Sequence, residues 1–155
     1  QVCTAAKIDL HPNLINVVPA RATMTLDIRN TDEILLQQAE AEVAAFVKEI
    51  AVAEGVSITS RTLARFEPVE FDPRVVECVE ETARRFGNSV QRMPSGAGHD
   101  AQMLARVCPS GMIFVPSVNG ISHNPAEFTS TEDLDAGANV LLHVMLELAE
   151  TDFSL

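Results

Sequence analysis

Basic residues are scarce in this chain. Eleven Lys and Arg stand against twenty-two Asp and Glu, for a net charge of -11. A phosphate-binding surface needs clustered Lys and Arg, so nucleic acid is not an expected partner, and neither is an anionic membrane surface. Cysteine is also sparse: Cys3, Cys78 and Cys108 lie far apart and make no Cys-x-x-Cys pair. Neither a zinc ribbon nor a disulfide framework is indicated, and free thiols in a reducing compartment are expected. No apolar run approaches the roughly 20 residues of a membrane span, and QVCTAAKIDLHPN at the start has no basic region leading into an apolar one. Together these features predict a cytoplasmic protein. The chain has no initiator methionine, and we expect a piece of something longer. Several chemical signatures are missing as well. There is no Walker loop and no dinucleotide fingerprint, PSGAG is not the Gly-x-Ser-x-Gly nucleophile elbow, and no base is placed near Ser95 or a cysteine.

What is present is a foldable chain. Of 155 residues 46% are hydrophobic, enough for one sizeable core or parts of two small domains. Residues 2–10 read as a strand. In ATMTLDIR, Met24, Leu26 and Ile28 alternate with Thr23, Thr25, Asp27 and Arg29, which predicts a second strand with one polar face. A helix follows, with Asn30 and Glu33 at capping-box spacing, Leu35, Ala39, Val43, Phe46 and Ile50 on one face, and Gly55 as its stop. VSITSRTLARF, 56–66, predicts a return strand. Strand, strand, helix, strand is most of a small α+β sandwich.

EPVEFDP, with two prolines and three acids, predicts a boundary, and a helix opens there with Asp72 as N-cap and Pro73 at its first position. Val75, Val76, Val79, Ala83 and Phe86 mark its apolar face, and Gly87 ends it. PSGAGHDAQMLARV turns into a short helix, and GMIFVP, 111–116, is apolar throughout like a buried strand. The last helix has Ser130 and Asp133 at its start and Leu134, Ala138, Leu141, Met145 and Leu148 on one face. Helix, helix, strand, helix is a layer of an α/β sheet. One strand makes no sheet, so that part is incomplete.

Candidate chemistry centres on GISHNPAE. His123 sits in a loop before a helix, where polar groups are held on rigid support. It is either a loop histidine bonded to nearby backbone or a metal ligand, since neutral imidazole is the commonest one. Glu127 is close enough to orient the loop or support the imidazole, or else it favours the helix dipole. One ligand does not hold zinc, which takes about three or four. The Gly96-Ala97-Gly98 turn offers backbone N–H groups as an anion cradle, or is a plain helix entry. His99 either contacts substrate or caps the short helix. Arg29 either pairs with Asp27 or reads a substrate carboxylate. Asn16 precedes VVP, where a turn asparagine is the plain alternative. His143 reads as solvent-exposed and His11 as part of a turn, with no role for either.

Taken in order, NVVPARATMTLDIR, PSGAGHDAQMLA, GMIFVPSVNGISHNPAE and TSTEDLDAGANVLLHVMLELA resemble the C-terminal part of the hydantoinase/carbamoylase-type amidases. That group includes N-carbamoyl-L-amino-acid hydrolases, allantoate amidohydrolases, ureidoglycolate hydrolases and beta-ureidopropionases, relatives of the dinuclear zinc aminopeptidases. The resemblance implies an α/β fold, with residues 1–66 as most of a lid that also makes a homodimer. Residues 67–155 would be the closing segment of a metallo-aminopeptidase-like catalytic domain. It implies hydrolysis of linear amide or ureido bonds in small carboxylate substrates, by water activated between two divalent metals about 3.5–4 Å apart. Zinc is the expected metal, and Mn, Co or Ni suit the same ligands.

By position in the motifs, His123 matches a metal ligand with Glu127 in support. Asn16 and Arg29 match the lid's carboxylate readers, and the Gly96–His99 segment meets the substrate. The resemblance also implies partners that this chain lacks: a His-x-Asp segment, a bridging Asp, a Glu-Glu pair carrying the general base, a further metal histidine and a lid histidine. Alone, the chain is expected to be inactive. The competing expectation is a stand-alone dimerisation or interaction module derived from such an enzyme.

Overall fold

The computed structural model describes residues 1–150. The chain divides into two compact units, Gln1–Pro68 and Val69 onward.

In the first unit, β1 (Val2–His11) and β2 (Arg21–Arg29) pair antiparallel, from Val2 opposite Arg29 to His11 opposite Arg21. The register shifts between Ala5 and Lys7, an inserted residue that bends the ribbon. Both predicted strands are present. Helix α1 (Glu33–Ala53) packs on β2. Its cap is Asp32, whose carboxylate accepts from the Leu35 N–H at 3.0 Å, rather than Asn30, whose side chain instead accepts from the Asp32 N–H. At the other end Gly55, at φ +64°, donates to Val52 while Val56 donates to Ala51. These two bonds satisfy carbonyls the helix leaves open, as a left-handed glycine permits.

The buried side of α1 is Leu36 and Ala39. Leu35 and Phe46, expected to face inward, are 48% and 61% exposed. With Leu and Ile at 34, 35 and 36 the apolar arc is broader than one stripe, so helical spacing alone fits two faces.

The strand expected at 56–66 is not formed. A strand needs a ladder partner, and among the described residues the only sheet is the β1–β2 pair. The segment is instead held at its far end: Arg65 donates to Glu33 at 2.6 Å and to Glu40 at 3.0 Å on α1. The Arg65 guanidinium, and secondarily Gln37, hold the Glu33 carboxyl below its ordinary range.

The second unit is built from α2 (Pro73–Arg85), α3 (Asp100–Leu104) and α4 (Thr131–Ala149). Asp72 caps α2 as expected, accepting from the Arg74 N–H at 2.9 Å, and Ser130 caps α4, accepting from the Asp133 N–H at 3.1 Å. The α2–α4 contact forms the core, where Cys78, Val140 and Val144 are buried and Val79, Ala83, Ile113 and Leu148 pack around them. Thr82 is fully buried and accepts from Arg85, which also reaches Glu147 of α4. Burial, and then the charge of Glu147, pushes the Cys78 thiol up.

The inward face of α4 is therefore Val140, Val144 and Leu148. Leu134, Leu141 and Met145, expected there, are 52%, 50% and 61% exposed. α4 carries leucines on several sides, so its periodicity admits more than one face.

GMIFVP runs past these helices without joining a sheet, correcting the expected buried strand. Ile113 and Val115 are half-buried toward the helices, while Phe114 is 52% exposed. A Cβ on Gly137 would collide with a Val115 methyl, and one on Gly111 would lie 2.8 Å from Val75 Cγ1. These glycines set how closely α4 and α2 approach the segment. It is an extended run with one face covered.

Candidate functional site

The loop from Ser117 to Phe128 is cross-braced. The Val118 N–H donates to the Phe128 carbonyl at 2.8 Å, and the Ser117 hydroxyl donates to the Ile121 carbonyl. Asn124, before Pro125, forms an Asx turn: its side-chain oxygen accepts from the Ala126 N–H and its carbonyl from the Glu127 N–H, both at 2.9 Å. Glu127 then reaches back and accepts from the His123 backbone N–H at 2.9 Å. The two residues meet as the motif spacing suggested, but at the backbone of His123 rather than its ring.

His123 itself is at φ +54°, and Asn119 at φ +59°. Two non-glycine residues in the left-handed region within one loop cost free energy that the surrounding bonds must supply, and such strain concentrates where a side chain has to be aimed. The His123 imidazole stands at the exposed surface.

Upstream, the Ser95 hydroxyl donates to the Ala97 carbonyl at 3.0 Å, and Nδ1 of His99 accepts from the Ala101 N–H at 3.0 Å. His99 is thus the N-cap of α3, one of its two expected roles. Gly96 and Gly98 have no positive φ, and a Cβ on either meets nothing within 4 Å. Neither backbone conformation nor packing among the described residues requires glycine there. The space in front of that turn is open.

In the first unit, Arg29 ends β2 beside Asp27. Its Nε and Nη2 donate to the Asp27 carboxylate at 2.9 and 2.6 Å, and the guanidinium holds that carboxyl below its ordinary range. The surface pair, which was the plain alternative, is present, and it fixes the direction of the guanidinium. Asn16 lies exposed in the hairpin turn between β1 and β2. His11 ends β1. His143 is exposed, as expected, and in addition stacks edge-on against Phe86, ring centres 4.7 Å apart.

Several supports of the site escaped the sequence reading. Asn-Pro at 124–125 is a turn signal that marks the Asx turn. Nothing local announces the long-range pairs Arg65–Glu33 and Arg92–Glu80, which join residues 32 and 12 positions apart.

Comparison with known proteins places this arrangement. Peptidase family M20/M25/M40 matches residues 7–147, and the chain belongs to that family. Within it, the chain is 39% identical over 146 residues to allantoate amidohydrolase of Bacillus subtilis, covering 94% of this chain and 35% of that protein. It is 43% identical over 139 residues to N-carbamoyl-L-amino-acid amidohydrolase of Rhizobium meliloti, covering 90% and 33%. A crystal structure of a hydantoinase/carbamoylase family amidase from Burkholderia vietnamiensis superposes with a TM-score of 0.90 at 40% identity, over 94% of this chain and 35% of that one. The α/β fold matches that of these structures, and the resemblance drawn from the four sequence blocks holds. The chain spans about a third of the length of the curated relatives it matches.

Amidohydrolases of the M20 family are generally metal-dependent. The described residues do not make a complete metal site. Among the described residues no group of three or more His, Cys, Asp or Glu could hold an ion. One surface imidazole is too few ligands for zinc. Among the described residues no helix is long and apolar enough to cross a membrane.

Proposed function

We propose that these residues are the substrate-reading and loop-bearing part of a cytoplasmic, metal-dependent amidohydrolase. Its substrates would be N-carbamoyl amino acids or allantoate-like ureido carboxylates, cleaved at a linear C–N bond. The observation that carries this reading is the braced His123 loop, within a chain that aligns over nine-tenths of its length with amidohydrolases of those two kinds. The sequence divides at about residue 66 into lid and closing catalytic segment, and the split of the structure at Pro68 supports that division.

In this reading His123 is the one metal-ligand histidine the chain contributes, and Glu127 keeps its backbone in the left-handed turn. The other ligands of the two-metal centre, and its general base, come from residues outside these 155. Arg29, aimed by Asp27, pairs with the substrate carboxylate, a planar fork against a planar anion. Asn16 adds an amide contact to the same group. The backbone of Gly96, Ala97 and Gly98 also meets the substrate, with His99 beside it as the cap of α3. The lid hairpin also pairs two copies into a homodimer. Its strands, exposed along nearly their whole length, support that.

Assays on the intact amidohydrolase containing these residues test the assignment. Arg29→Ala should raise KM for carboxylate-bearing substrates by about 10- to 100-fold with kcat little changed, the signature of lost uniform binding. His123→Ala should lower metal content and abolish turnover. Normal metal content and kcat in His123→Ala would refute the ligand role.

A further inference from the structure

We propose that Arg92 is a positioning residue for the Gly96–His99 turn, acting through its ion pair with Glu80 of α2. This inference rests on the reading of that turn as a substrate contact.

Two bonds that shape the turn, Ser95 to Ala97 and Ala101 to His99, run between residues two apart and define its form. Residues on either side bear on its place on the unit. Downstream, Ala101 is 7% exposed and plants the first turn of α3 against the unit. Upstream, residues 88–95 run from Gly87 to the turn outside any helix or strand, so no ladder registers them.

Arg92 supplies what a ladder would. Its Nε donates to Glu80 Oε2 at 2.6 Å and its Nη2 lies 2.5 Å from the same oxygen, four residues before Gly96. The Glu80 side chain is only 15% exposed and sits on a helix capped and packed in the core. Its other oxygen meets Arg84, a partner one turn along the same helix. That second pair only stiffens α2, whereas Arg92 is the long-range one. The turn therefore lies between a buried alanine after it and an arginine clamp before it.

The test has a structural arm on this full chain and a kinetic arm on the intact enzyme. In the chain, backbone 15N order parameters at Gly96 and Gly98 should fall in Arg92→Met from about 0.85 toward 0.6, the range from rigid to flexible backbone. Arg92→Lys should recover part of the loss, and Arg84→Met should leave both amides in place. Should Arg92→Met fold poorly, Glu80→Gln gives the same readout with the side-chain shape kept. Unchanged amides in both variants, or an equal change in Arg84→Met, would overturn the proposal. In the intact enzyme, Arg92→Met should raise KM about 3- to 10-fold with kcat within about twofold. Loosened amides with unaltered KM would uphold the positioning and remove the substrate role of the turn, so the two ideas fail separately.

Discussion

The two units solve the problem of holding an irregular segment in different ways. The second unit has a buried core of Cys78, Thr82, Val140 and Val144 between two capped helices, and its long loop is braced by side chains that bond to backbone within the loop itself. The first unit has little interior. Ten consecutive residues of β1 are exposed, two residues of α1 are buried, and the segment after α1 is pinned by Arg65 to two glutamates. Apolar burial is insensitive to salt and acid near neutrality, whereas exposed ion pairs are screened and weak. The second unit thus carries its loop on a packed core, and the first leaves most of its hairpin exposed.

Substitutions can widen or erase this contrast. The largest effect is expected in the core: Val144→Ala should lower the unfolding free energy of the second unit by about 2–3 kcal/mol, and Leu141→Ala, one turn away on the exposed side, by less than about 0.5 kcal/mol. Urea titration of both variants checks the corrected face of α4, and equal losses would restore the face first read from spacing. Next comes Ser130→Ala, which removes the α4 cap and should cost about 1 kcal/mol.

Acid gives a smaller and directional effect. The Arg74 guanidinium, together with the backbone at residues 74 and 75, holds the Asp72 carboxyl at about 2. The folded form binds that proton more weakly than the unfolded chain does. Its contribution is complete above the ordinary carboxylate value and is lost as pH falls from there toward 2. Urea midpoints between those pH values should slope less steeply in Asp72→Asn than in the parent chain. An identical slope would mean the pair does not couple to folding. The smallest effect is expected in the first unit. Arg65→Met should loosen residues 57–66 by hydrogen exchange at low salt, and at about 1 M salt, where screening acts within about 3 Å, it should match the parent.

Much of this was legible in the residues. Strands β1 and β2, the Asp72-Pro73 and Ser130 helix starts, the Gly55 and Gly87 stops and the GISHNPAE loop all follow from local chemistry, which a few neighbouring side chains decide. Two kinds of feature were not. The inward faces of α1 and α4 depend on which neighbour covers them, and leucine-rich helices offer several. The runs 56–66 and 111–116 have strand composition but no ladder partner among the described residues, and composition says nothing about whether a partner is at hand. At the site, the pairing of Glu127 with the backbone of His123, and the two ion pairs that tie loops to helices, required coordinates because they depend on direction rather than spacing.

In the proposed function this chain contributes a single metal ligand to a centre whose other ligands lie elsewhere. Calorimetric titration of the 155-residue chain with Zn²⁺ measures that directly. We expect at most one weak site, absent in His123→Ala. Tight uptake of two ions by the chain alone would contradict it.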